Sequence, residues 1–142
     1  MSRVPLALFL LLFATALPAS AEVRILASPG GQIGQYLRLF AMVRESGERV
    51  VIDGPCLSAC TLVLSVVPKN RICVTRKAIL GFHAAWNPDR RGRPLTNAEA
   101  TRLMLASYPA PVQSWIRKKG GLTSKTLLLR GRELNVMYRV CT

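Results

Sequence analysis

The first residue of this chain that could do chemistry is a serine between two cysteines. In Cys56-Leu57-Ser58-Ala59-Cys60, Ser58 follows a short strand-like run and opens a predicted apolar helix. A serine hydroxyl becomes an effective nucleophile when an adjacent base takes its proton. His83 is the only histidine in the chain and ends a predicted strand 25 positions after Ser58. It is therefore the one imidazole that could serve as that base.

Two backbone segments could stabilise the negative charge that forms when a serine attacks a carbonyl group. The N–H of Ala59 lies in the first turn of the predicted helix, where backbone donors have no intrahelical acceptor. A second donor could come from Ser28-Pro29-Gly30-Gly31, because Gly30 and Gly31 let a bare backbone approach the site closely. These segments are the candidate oxyanion hole.

Each part also has a purely structural interpretation. A serine at a helix start is commonly an N-cap, and two glycines after a proline are commonly a turn. A lone histidine near Phe82 and Trp86 is often half-buried, with its hydrogen bonds satisfied. The order of the three parts along one chain favours a shared site over three separate structural roles.

Strands and helices alternate along the chain. Apolar runs bounded by Gly and Pro predict strands over residues 23–27, 49–53, 71–75 and 78–83. Helical periodicity and end signals predict helices over residues 33–45, 58–67, 96–108 and 109–119, with shorter helical segments at 123–129 and 133–138. Thr96 and Glu99 form a predicted capping box, and residues 86–95 a polar loop. This order is typical of an α/β domain with a small, mostly parallel sheet, right-handed crossovers and a helical C-terminal third.

Three motifs together resemble a known family. Ser28-Pro29-Gly30-Gly31, the Cys56–Cys60 elbow and Ile79-Leu80-Gly81-Phe82-His83 are similar to the proteolytic subunit of the Clp protease and the wider crotonase-like fold. The similarity is greatest to small exported Clp-like proteins of Gram-negative bacteria, and it covers residues 23–83. The mature chain begins at the strand before the glycine pair, without the first βα segment typical of the family. We therefore expect a small sheet with an exposed edge.

The resemblance implies a role for each site residue. Ser58 would be the nucleophile, His83 the general base, and the N–H groups of the Gly30–Gly31 loop and Ala59 the oxyanion hole. The family's acid follows its histidine by a distance that points here to Glu133, 50 positions after His83. Asp89, in the loop after His83, is the other candidate. Glu133 is equally well explained as a carboxylate in the first turn of a helix.

Four cysteines in an exported chain indicate disulfides. Three pairings are possible, and the residues alone do not choose among them. The family's sheet would bring the strand with Cys73 near the C-terminal end, which favours Cys73 with Cys141 and leaves Cys56 with Cys60. Cys60 with Cys73 and Cys56 with Cys141 is nearly as well supported.

The first 21 residues are predicted to be a cleavable signal peptide. Arg3 supplies the positive charge, 14 uncharged residues follow it, and Ala19-Ser20-Ala21 fits signal peptidase. A spanning helix needs about 20 residues, so an uncleaved anchor is the weaker alternative. We therefore expect a periplasmic protein whose single domain comprises residues 22–142.

The net positive charge of the chain limits the kinds of partner that it is expected to bind. The chain has 20 Lys and Arg against 7 Asp and Glu, and loss of Arg3 leaves a formal charge of +12. An acidic surface or partner would fit this charge, whereas export and the absence of nucleic-acid-binding motifs argue against nucleic acid. The cysteine and histidine spacing does not fit a metal site, and no cofactor motif is present, so neither group is expected.

Two functions remain in competition. The first is an exported serine hydrolase acting on peptide or acyl bonds. The second is a non-catalytic binding or assembly module of the same fold, possible as a homo-oligomer, with a basic surface that includes the loop of Trp86, Arg90, Arg91 and Arg93. A disulfide-stapled scaffold is disfavoured because half the residues are hydrophobic and only four are cysteines.

Overall fold

The computed structural model describes residues 21–142. The predicted signal peptide lies outside the described residues except for Ala21. The strands of the described part are β1 Glu22–Ile25, β2 Arg49–Ile52, β3 Pro55–Leu57, β4 Ile72–Val74, β5 Ile79–Phe82, β6 Trp86–Pro88, β7 Pro94–Thr96, β8 Leu127–Arg130 and β9 Arg139–Val140. The α-helices are α1 Ile33–Ser46, α2 Val63–Val66, α3 Ala98–Ser107, α4 Ala110–Lys118 and α5 Gly131–Asn135, and 3-10 turns cover Ser58–Leu62 and Lys69–Arg71. Within residues 21–142, no helix is both long enough and apolar enough to cross a membrane.

The strands form three sheets. The first has the order β1-β2-β4-β9, and all its neighbouring strands are parallel. The second has the order β3-β5-β8, with β3 parallel and β8 antiparallel to β5. The third is the antiparallel hairpin of β6 and β7. The predicted α/β class with a parallel sheet is confirmed, but the strands are divided among three sheets instead of joining one.

A bend between β2 and β3 takes the chain from the first sheet to the second and sets the position of Ser58. β2 is an apolar strand with three successive buried side chains, as expected for a central parallel strand. At Gly54 the backbone passes so close to Leu26 that any Cβ would collide with the Leu26 carbonyl oxygen. Glycine therefore lets the chain leave the first sheet here, and β3 enters the second sheet and ends beside Ser58.

The predicted helical segment at residues 123–129 is wrong. Its second half is β8, which pairs with β5 in the register Leu80 with Leu129. Both of those side chains are fully buried. An apolar run of this length fits a helix or a strand equally well, and here the long-range pairing with β5 decides the outcome.

Two further local predictions are corrected around the polar loop. The cap of α3 is Asn97 instead of Thr96, since the Asn97 side chain accepts a hydrogen bond from the Ala100 N–H at 2.9 Å. The segment predicted as a loop contains the β6–β7 hairpin. Asp89 organises its turn by accepting hydrogen bonds from the N–H groups of Arg91 and Arg93, at 2.7 and 2.8 Å.

The disulfides join Cys56 with Cys60 and Cys73 with Cys141. This is the first of the two pairings considered from the sequence. The Cys73–Cys141 bond reinforces the contact between β4 and β9, where the Cys141 N–H also donates to the Val74 carbonyl at 3.0 Å. The Cys56–Cys60 bond is buried beneath the turn that carries Ser58.

Candidate active site

A cavity of about 820 Å³ collects the residues singled out in the sequence. Ser58, His83 and the Gly30–Gly31 loop all line it, and Trp86 contributes from the β6–β7 hairpin. These parts come from separate regions of the chain, so their convergence is a product of the fold. The structure thus brings the predicted nucleophile, base and oxyanion loop to one cleft.

Ser58 has a strained backbone. Its φ of 56° makes it the only non-glycine residue with positive φ among residues 21–142. Such a conformation costs on the order of 1–3 kcal/mol and persists only where the surroundings enforce it. Leu57, not Ser58, occupies the N-cap position, and the Ser58 hydroxyl makes no hydrogen bond to another described residue. The structure therefore does not support the N-cap interpretation.

Thr61 and Tyr108 hold the Ser58 backbone from inside the core. The fully buried Thr61 hydroxyl donates to the Ser58 carbonyl at 2.7 Å, and Tyr108 then donates its own hydroxyl hydrogen to Thr61 Oγ1 at 2.6 Å. Burial raises the pKa of Tyr108 to about 12, so this donor keeps its proton at neutral pH. Phe82, next to His83, packs edge-to-face on Tyr108 with ring centroids 5.2 Å apart. The Ser58 turn and the strand that ends at His83 therefore both contact the same buried side chain, Tyr108, the turn through Thr61 and the strand through Phe82.

Sequence reasoning missed this support. The available signal was Thr61, a hydroxyl residue within the segment 58–67 that was predicted to be an apolar helix. A buried hydroxyl requires a hydrogen-bond partner. Tyr108, far away in sequence at the end of α3, is that partner, and only the tertiary structure identifies it.

The Gly30–Gly31 loop is fastened against the Ser58 turn. The Ser28 N–H donates to the Pro55 carbonyl at 2.8 Å, and the Leu57 N–H donates to the Ser28 carbonyl at 2.9 Å. Gly30 has φ of 87°, and a Cβ there would lie 2.5 Å from the Cβ of Ser58. Glycine is therefore required for this approach.

Two N–H groups at this junction are available for an oxyanion. Those of Gly31 and Ala59 donate no hydrogen bond to any residue in the described part of the chain. The Gly30 N–H is directed instead to Ser28 Oγ at 3.4 Å. Gly31 and Ala59 are therefore the candidate oxyanion donors, but of the two only Gly31 lines the cleft, and Ala59 is fully buried.

His83 is half-buried at the end of β5, and its Nδ1 lies 2.8 Å from the Ala84 carbonyl oxygen. A carbonyl oxygen only accepts hydrogen bonds, so Nδ1 must carry the hydrogen. In the neutral ring Nε2 is then an acceptor, which is the form a general base requires. No hydrogen bond joins His83 to Ser58 in the described structure. The two residues line the same cleft without a hydrogen bond between them.

The structure does not bring either predicted carboxylate to His83. Glu133 lies on the surface in α5, half exposed, with its carboxylate 3.4 Å from the Lys119 ammonium. Asp89 uses its carboxylate within the hairpin, where the Arg93 backbone N–H and guanidinium and the Arg91 N–H lower its pKa. The resemblance implied Glu133, but its carboxylate lies beside Lys119, and Glu133 does not line either cavity.

A second, smaller cavity of about 300 Å³ is also lined by His83. His83 and Trp86 line both cavities, and Thr96, Ser124 and Thr126 contribute hydroxyl groups to the smaller one. His83 and Trp86 are therefore shared by two neighbouring cavities.

The β6–β7 hairpin, which borders the cleft, carries three arginines at its turn. Gly92 at its tip lines the larger cavity, next to Arg90 and Arg91. Arg93 pairs with Asp89, whereas Arg90 and Arg91 have no ion pair with residues 21–142. Over residues 21–142, no group of three or more His, Cys, Asp and Glu side chains is arranged to hold a metal ion.

Comparison with known proteins adds no assignment to this geometry. No family model matches the chain, and no curated protein matches it.

Proposed function

We propose that this protein is an exported serine hydrolase that acts on peptide or acyl bonds and has a Clp-like fold of the crotonase type. The observation that carries the proposal is the cleft in which a strained serine, the chain's only histidine and a glycine loop with a free N–H at Gly31 converge. Backbone strain concentrates at functional sites, and Ser58 is the only non-glycine residue with positive φ in residues 21–142.

The residues would act in the usual order of acyl transfer. Ser58 Oγ attacks the substrate carbonyl carbon while its proton passes to His83 Nε2. The Gly31 and Ala59 N–H groups stabilise the oxyanion of the tetrahedral intermediate. Collapse expels the leaving group, which takes the proton from His83, and water then hydrolyses the acyl-enzyme by the same path in reverse.

Two features support export to an oxidising compartment, which we propose to be the periplasm. Both disulfides join cysteines that are buried or half-buried in the fold, and such bonds persist outside the reducing cytosol. The predicted signal peptide agrees with this placement.

A non-catalytic binding module is the second candidate. The observation that favours it is the absence of a hydrogen bond between Ser58 and His83, together with Arg90 and Arg91, which have no ion pair with residues 21–142. In that case these arginines would hold an acidic group of a partner. A pre-formed catalytic bond is not required, however, because such bonds are often loose until substrate binds.

Fluorophosphonate labelling of the oxidised protein distinguishes the two candidates. The hydrolase predicts labelling of the wild type, loss of labelling in Ser58→Ala, and a large decrease in His83→Ala. Ser65→Ala is the matched control, because Ser65 lies seven positions later and pairs with Ser107 away from the cleft. A folded wild type that resists labelling would reject the hydrolase and favour the binding module.

A further inference from the structure

The question left open by the cleft is what takes the place of the missing carboxylate at His83. In a serine hydrolase the third group holds the imidazole in one tautomer and orientation. Within residues 21–142, no Asp or Glu side chain is hydrogen-bonded to His83, and its only partner is the Ala84 carbonyl. The Ala84 carbonyl therefore occupies the position at Nδ1 that a carboxylate would take.

The Ala84 carbonyl is unusually well fixed. It belongs to the peptide group whose N–H is that of Ala85, and this N–H donates to Thr101 Oγ1 at 3.0 Å. Thr101 Oγ1 in turn donates to the Asn97 carbonyl at 2.7 Å. Successive hydrogen bonds polarise one another, so the bond to Thr101 makes the Ala84 oxygen a stronger acceptor.

Further contacts prevent the peptide from rotating. The Ala84 N–H donates to the Thr123 carbonyl at 2.7 Å, and the Asn97 N–H donates to the Ala85 carbonyl at 2.8 Å. Ala84 and Ala85 are both buried. Ala84 and Ala85 are thus held by hydrogen bonds to the start of α3 and to the segment before β8.

We propose that the 84–85 peptide, oriented by Thr101, acts as the third member of the site. It holds the hydrogen on His83 Nδ1 and leaves Nε2 free to take the Ser58 proton. Thr101 is thus a positioning residue, since it acts through the peptide and touches neither substrate nor the reacting atoms. The inference rests on the proposed hydrolase function, but the tautomer it predicts can be measured independently of activity.

The test compares Thr101→Val, which removes the hydroxyl, with Thr101→Ser, which keeps it. The first readout is the ¹⁵N NMR signature of the His83 ring above its titration range. Wild type and Thr101→Ser should show the hydrogen on Nδ1, and Thr101→Val should show a shift toward the Nε2-protonated form. Circular dichroism confirms that each variant is folded, and Thr101→Ala serves in place of the valine variant if that one does not fold.

The second readout is the rate of fluorophosphonate labelling. A positioned base contributes about 10²–10⁴-fold, and we expect Thr101→Val to lose at least about tenfold while Thr101→Ser stays close to wild type. An Nε2-protonated wild type, or a Thr101→Val ring unchanged from wild type, would overturn the inference. So would a tautomer shift without any loss of labelling rate. If wild type is not labelled at all, the proposed function fails, and the NMR result still decides the role of Thr101.

Discussion

Ser58 combines three properties at the residue scale: a left-handed backbone, a hydroxyl without a partner in residues 21–142, and a position in the cleft. A left-handed conformation costs an L-residue roughly 1–2 kcal/mol relative to glycine. Thr61, Tyr108 and the Cys56–Cys60 disulfide enforce that conformation from below. A strained backbone held in this way is expected where a protein loses some stability in order to keep a reactive side chain in position.

Replacing Ser58 by glycine separates reactivity from stability. Ser58→Gly should lose labelling and yet be more stable than Ser58→Ala by about 1 kcal/mol, because glycine adopts positive φ without strain. Urea unfolding of the two variants measures the difference. Equal stabilities, or a less stable glycine variant, would show that the backbone at this position is not strained.

Among the secondary-structure elements, the strands of the first sheet are connected at their carboxyl ends by the side chain of Asp53. Asp53, directly after β2, accepts hydrogen bonds from Thr75 after β4 at 2.8 Å and from Arg24 of β1 at 3.0 Å. These partners, Thr75 first and Arg24 second, lower the pKa of Asp53. One carboxylate thereby links three parallel strands at the edge from which the chain enters the site.

This linkage predicts a pH effect. Because the folded pKa of Asp53 lies below its unfolded value, its contribution is fully present above the unfolded pKa of about 4 and is lost as pH falls through the folded value. Asp53→Asn should therefore show a flatter decline in stability below about pH 4 than wild type, as measured by thermal melting against pH. Thr75→Ser keeps the hydroxyl donor and should keep the wild-type slope. An Asp53→Asn curve parallel to wild type would contradict the account.

Most elements around the site could be predicted from sequence, and the failures share a cause. The strands before residues 28 and 54 and the helix α1 are bounded by local Gly and Pro signals, so local reasoning located them to within one or two residues. β8 and the environment of His83 depend on contacts between distant segments. For the same reason distance along the chain did not identify the group that contacts the imidazole, because the Glu133 carboxylate lies beside Lys119 and the partner of His83 is the Ala84 carbonyl.

At the scale of the whole molecule, the two disulfides have different tasks. Cys73–Cys141 closes a long loop with a separation of 68 residues, and Cys56–Cys60 closes one of 4. Loop-closure entropy assigns them about 4 and about 2 kcal/mol, respectively. The long bridge stabilises the domain, and the short one mainly shapes the Ser58 turn.

Paired alanine variants test this division. Cys73→Ala with Cys141→Ala should cost more unfolding free energy, about 4 kcal/mol, but keep labelling wherever the protein remains folded. Cys56→Ala with Cys60→Ala should cost less stability and lose more labelling. Urea unfolding and labelling of both variants provide the comparison. If removing Cys73–Cys141 reduced labelling more than removing Cys56–Cys60, the short disulfide would not be what shapes the Ser58 turn for reaction.

Activation of a single serine by the fold is tested most directly by the mass of the intact, oxidised protein after reaction with a fluorophosphonate. We expect a single phosphonyl group, mapped by peptide analysis to Ser58, and its absence when the protein is thermally unfolded before the reaction. An unmodified protein, or modification spread over several exposed serines, would contradict it.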